Sequence, residues 1–168
     1  MRSIPDPGFA GDDGGVDPEL ERVLAAYDAE PEAGERHLTA LAVLQDARLL
    51  VPVVAVLGEV EVDEHGLAHE KTSDMAAVLI EGADGRTALL AFTGSASMTR
   101  WNPDARPVPV TVRDAARAAL QDGASALLVD VAGPVLFPVE EDDLRSLAAG
   151  HQLLRLEDGS WGWAQLPS

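Results

Sequence analysis

The sequence predicts an α+β fold with α/β-like character: a mixed, mostly antiparallel sheet of five to six strands covered by helices. Three observations predict it. Apolar runs of strand length recur at 48–57, 75–80, 87–92 and 126–131. Val112, Ala115, Ala116, Ala119 and Leu120 recur at helical spacing, so 111–121 reads as a helix between two apolar strands. A helix in that place is a crossover, which makes one strand pair parallel. Residues 18–45 carry two further helical stripes, separated by Pro31.

Taken in order, residues 1–16 are rich in Gly, Pro and Asp and are expected to form a disordered tail. They hold no apolar core of a secretory signal. Asp17-Pro18 is a cap followed by proline at the first helical position, and Leu20, Val23, Leu24 and Tyr27 set a helix over 18–29. A second helix spans 34–45, with Leu38, Leu41, Ala42 and Gln45 on one stripe. The strand at 48–57 contains Pro52, which predicts a bulge or an edge position there. The acidic stretch 58–70 alternates Glu59, Glu61 and Asp63 with Val60 and Val62, as a one-sided strand entering a loop. Next comes a hairpin, 75–80 and 87–92, turned by Gly82-Ala83-Asp84-Gly85. Its entrance at 70–74 and its exit at 93–95 are expected at one end, and the working surface is expected there.

A short helix at 95–101 ends at Asn102-Pro103. Residues 105–110 are extended. Strands at 126–131 and 135–139 flank Ala132-Gly133-Pro134, and a helix at 140–149 starts with acid in its first turn. Residues 153–156 suit a final edge strand. The folded domain is placed at 17–157 and a C-terminal tail at 158–168, with Trp161 and Trp163 folded back or free.

Charge narrows the partners. Twelve Lys and Arg against 29 Asp and Glu give −17, a surface that repels nucleic acid and anionic lipid but can steer a basic protein. The plainer alternative is that this acidity only keeps the chain soluble. Eleven of the twelve basic residues are Arg, and Lys71 is the single lysine. With no Cys, thiolate chemistry and Cys-ligated zinc are excluded. No apolar run approaches the ~20 residues of a spanning helix, so a cytoplasmic location with no membrane contact is expected.

Several stretches in this order carry a family resemblance: the apolar strand 49–56, Glu70-Lys71-Thr72-Ser73-Asp74-Met75-Ala76, Phe92-Thr93, Trp101, Ala105-Arg106-Pro107-Val108-Pro109 and Asp130-x-Ala132-Gly133-Pro134. Together they resemble the SseB N-terminal domain family in its actinobacterial form, over about 36–150. The resemblance supplies no catalytic residues to carry over, and no cofactor or metal is expected.

The candidate chemistry is sparse. Lys71 and Ser73 lie on one side of an extended strand and could act as a nucleophilic pair, but Asp74 would keep Lys71 charged. His65 and His69 with Asp63, Glu64 and Glu70 form a possible metal cluster that Gly66 makes unsuited to a helix. Gly94-Ser95-Ala96-Ser97 could hold a small anion, or simply cap a helix. Trp101 and Arg106 suit an interface; alternatively Trp101 fills the sheet edge and Arg106 satisfies buried carbonyls or Asp130. The expected function is a non-catalytic interaction module whose patch is Lys71, Ser73, Phe92, Trp101 and Arg106, with a basic protein partner. The alternatives are a small-anion binder or hydrolase using Lys71 and Ser73, and a self-associating structural or secretion-related protein, with a homo-oligomer as one outcome.

Overall fold

The computed structural model describes residues 9, 11–56, 60–62, 68–70 and 74–165, with side chains at 9, 11–54 and 77–165. Asp17 starts α1 (Pro18–Ala29) by accepting the Leu20 N–H at 3.2 Å, and α2 (Gly34–Leu44) follows. Then come β1 (Arg48–Val56), the paired β2 (Val60–Val62) and β3 (Ala68–Glu70), β4 (Asp74–Ala77), β5 (Leu79–Glu81) and β6 (Thr87–Ala91). After α3 (Ser95–Trp101) and β7 (Arg106–Thr111), the Thr111 hydroxyl caps α4 (Val112–Gln121) by accepting from Asp114 N–H at 3.1 Å. The chain continues with β8 (Ala126–Val129), β9 (Phe137–Glu140), α5 (Glu141–Ala148), β10 (His151–Arg155) and β11 (Trp161–Gln165). None of the described helices is long and apolar enough to cross a membrane.

The α+β class holds, and β6 and β8 are the parallel pair that the crossover requires. The sheet is smaller than five or six strands. It divides into a three-stranded sheet, β4-β1-β7, and a four-stranded sheet, β5-β6-β8-β9. Strand directions explain the division. β1 is antiparallel to β4, β5 is antiparallel to β6, and Leu50 meets Phe92 in a further antiparallel bridge. In a flat sheet the first two pairings would make β1 and β6 parallel. The segment 74–81 therefore turns a corner at Val78 and gives one half to each sheet.

This fork also explains the prolines. Leu50 exchanges two 2.8 Å backbone hydrogen bonds with Phe92, so its polar groups face β6. Such groups alternate sides along an antiparallel strand, so the pairs Leu50–Pro109 and Pro52–Pro107 exchange no hydrogen bonds across β1 and β7. Pro52 consequently faces the gap between Phe92 and the β4 ladder, which begins at Val53. It sits inside a regular ladder with β7 rather than at a bulge. The nitrogens of Pro107 and Pro109 point outward from β7, which ends its sheet.

Two apolar clusters lie on opposite faces. The larger joins α1, α2, α4 and α5 to Leu49, Val51, Leu89, Ala91, Leu127 and Val129. The smaller collects Leu50, Leu90, Phe92, Met98 and Ala105 under α3. In α2 the buried stripe is Ala40, Leu41 and Leu44, one step from the expected one.

Both ends of the chain add order that the sequence reading assigned to tails. β11 pairs with β10, and Trp161 and Trp163 pack against the larger cluster. Gln45 docks this hairpin: its Nε2 donates to Leu153 O at 2.9 Å, and its Oε1 accepts from Leu153 N–H at 2.8 Å. Leu153 is buried, so Gln45→Ala strands two backbone groups. The expected loss is about 2 kcal/mol, read as a lower urea midpoint with an unchanged slope.

Candidate functional site

At the N-terminal side, residues 12–16 form a strap across the ends of β1 and β6. The Arg48 side chain, 13% exposed, holds it. Its Nη1 donates to Thr93 O at 2.8 Å, and its Nη2 donates to Gly15 O at 2.8 Å and to Asp12 Oδ1 at 2.9 Å. Its Nε lies 2.6 Å from Asp12 Oδ2. The Gly14 N–H and the Arg48 guanidinium hold the Asp12 carboxyl below the usual range, the Gly14 bond most strongly. The strap passes close over the turn after β6, where Ser95 N–H donates to Gly14 O at 2.8 Å. Gly94 permits that approach, since a Cβ there would come within 2.8 Å of Gly14 O.

Beside the strap, a groove of about 710 Å³ runs between α1, the end of α2 and the start of β1. Asp13, Asp17, Glu19 and Asp46 line it, and the single cation among its described residues, Arg48, is engaged by Asp12. Across the strap lies a smaller pocket of about 250 Å³. Val16 and Thr93 border both cavities.

Asp130 forms the floor of the smaller pocket and is 2% exposed. It follows β8 as Thr93 follows β6, so the two meet at the carboxyl ends of the parallel pair. Asp130 takes a left-handed backbone, φ 55°, which Asp tolerates better than most residues. Its Oδ1 accepts the Thr93 N–H at 2.9 Å, and its Oδ2 accepts the Thr93 hydroxyl at 2.6 Å. Burial pushes its carboxyl up, against the pull of the Thr93 bonds and the nearby Ser97 hydroxyl.

The expected patch is redistributed. Lys71 and Ser73 lie outside the described residues, as does His65. Phe92 is 0% exposed and belongs to the smaller core, so it is packing rather than a contact surface. Trp101 is half-buried against it, with ring centroids 5.7 Å apart. Arg106 is exposed and pairs with Val53, on the face of Val108 and Val110 rather than that of Phe92 and Trp101. Among the described residues, Thr93 rather than Arg106 satisfies Asp130. The hairpin entrance and exit also separate. Asp74 pairs with Val56 and Phe92 with Leu50, six residues apart along β1, or about 20 Å. The Ser95–Ser97 turn is filled internally: Ser95 N–H serves Gly14, and the Ser97 hydroxyl donates to Gly94 O at 3.0 Å.

Sequence reasoning missed Arg48 and the role of Asp130. The one signal for Asp130 was an acid ending an apolar strand run directly before Val-Ala-Gly-Pro. Arg48, at the start of β1, had none, because its partners lie 33, 36 and 45 residues away.

The family model for the SseB protein N-terminal domain matches residues 20–146. No curated protein and no solved structure matches the chain.

Proposed function

The chain belongs to the SseB N-terminal domain family, and from that premise we propose that it is a non-catalytic interaction module that binds a basic protein partner. The groove carries the reading. Among the described residues four acids line it, and the one cation there is already neutralised by Asp12. With a net charge of −17, the whole surface adds long-range attraction for a basic segment. The alternative of a small-anion binder draws no support from the Ser95–Ser97 turn, where the Ser95 N–H serves the strap and the Ser97 hydroxyl serves Gly94 O.

The test separates groove from global charge. A fluorescein-labelled Gly/Arg repeat peptide is titrated by anisotropy against two variants of equal net charge. Asp13→Asn with Glu19→Gln and Asp46→Asn neutralises three of the groove's four acids and leaves the helix cap Asp17 in place. Asp104→Asn with Asp122→Asn and Glu157→Gln neutralises three acids at exposed positions elsewhere. The groove variant is expected to bind about fivefold more weakly, as three rim charges predict, and the control to stay within about twofold of the wild type. Equal weakening in both would reduce the effect to bulk charge and overturn the reading.

A further inference from the structure

We propose that the 250 Å³ pocket ending on Asp130 receives the cationic head of an arginine or lysine side chain from the basic partner. This rests on the reading above and assigns its anchor. Asp130 is a buried carboxylate whose hydrogen bonds come from neutral groups, and among the described residues it has no salt-bridge partner. A buried charge without a counter-charge is costly, and a cation delivered there supplies what the fold leaves out. The raised carboxyl pKa has the same cause, burial.

The walls suit the rest of such a side chain. Val16, Leu24, Ala96, Pro134 and Val135 form an apolar sleeve for an aliphatic stem. The volume falls below the ~300–1,000 Å³ of pockets for drug-sized ligands and matches a single long side chain. At the rim, Glu21 offsets Arg100, whose guanidinium lies over Gly133, so acids outnumber bases when Asp130 is ionised. Val16 and Thr93 border both cavities, so a peptide seated in the groove can drop one side chain past the strap to Asp130.

The experiment is an NMR titration of the ¹⁵N-labelled full chain. The probes are the Gly/Arg repeat peptide, the same peptide with citrulline for arginine, and n-butylguanidine. The arginine peptide is expected to shift the Thr93 and Ser97 amides together with Asp13 and Asp46, and the citrulline peptide to leave Thr93 and Ser97 in place. Asp130→Asn removes the charge. Because that variant can lose stability, Ala96→Phe provides an independent plug, at an exposed helix position that leaves Asp130 intact. Each is expected to weaken peptide binding about tenfold, the scale of one anchoring contact.

Shifts confined to Asp13 and Asp46 would overturn the pocket assignment and leave the groove reading standing. An absence of shifts anywhere would overturn both. Shifts at Thr93 and Ser97 with n-butylguanidine but not with the peptide would assign the pocket to a free small guanidine and overturn the partner side chain as its occupant.

Discussion

Asp130→Ala is expected to lower the unfolding free energy by about 3 kcal/mol, because it strands the Thr93 N–H and hydroxyl in a buried site. The two bonds tie the end of β6 to the end of β8, so the loss should be global and visible as a lower denaturant midpoint. Asp130→Asn keeps one acceptor oxygen and should lose less. A pH series then isolates the carboxyl. Its folded pKa is raised above 3.8, so the native state binds this proton more tightly than the unfolded chain does. Asp130 therefore favours folding most below pH 3.8, and that contribution is lost as pH rises through its raised folded value. The stability of the wild type minus that of Asp130→Asn should fall across that window and then level. A difference that rises with pH there would mean a carboxyl stabilised in its ionised form, contrary to its burial.

Phe92→Ala should cost about 4 kcal/mol, the scale of a large-to-small change at a fully buried aromatic. Phe92 closes the smaller core between Leu50, Leu90 and Met98, with Trp101 against its ring. It also carries the bridge between the two sheets, but through its backbone, which the substitution retains. The effect should therefore be a cavity effect. Peptide affinity, measured where the variant is still folded, should remain within about twofold of the wild type. A selective loss of affinity with little loss of stability would return Phe92 to a contact surface.

Local patterns carried much of the architecture. The Asp17-Pro18 cap, the short helix before Asn102-Pro103 and the α4 stripe are set within a turn or two of chain, and each element lies where its pattern placed it. The parallel pair followed from helix α4 standing between two apolar strands. The corner at Val78 was not legible, because an apolar run at 75–80 looks the same whether its ends serve one sheet or two. The strap was hidden for a related reason. Its composition is that of a free tail, and what orders it is a guanidinium far along the chain. Gln45 did leave a trace, as a polar residue at the end of an apolar helical stripe, but its partner at Leu153 is 108 positions away. The pocket combined both problems: Thr93 and Asp130 meet only after β6 and β8 have paired.

The two prolines of β7 bear on how copies of this chain can meet. A bare strand margin invites another strand to extend the sheet, and repeated extension leads to fibres. Along β7 the outward donors alternate, and two successive ones are replaced by the ring nitrogens of Pro107 and Pro109. An incoming strand would find acceptors there without the donors that complete a ladder. Sheet-by-sheet polymerisation is thus discouraged along this margin, and a copy meeting it there has to do so through side chains.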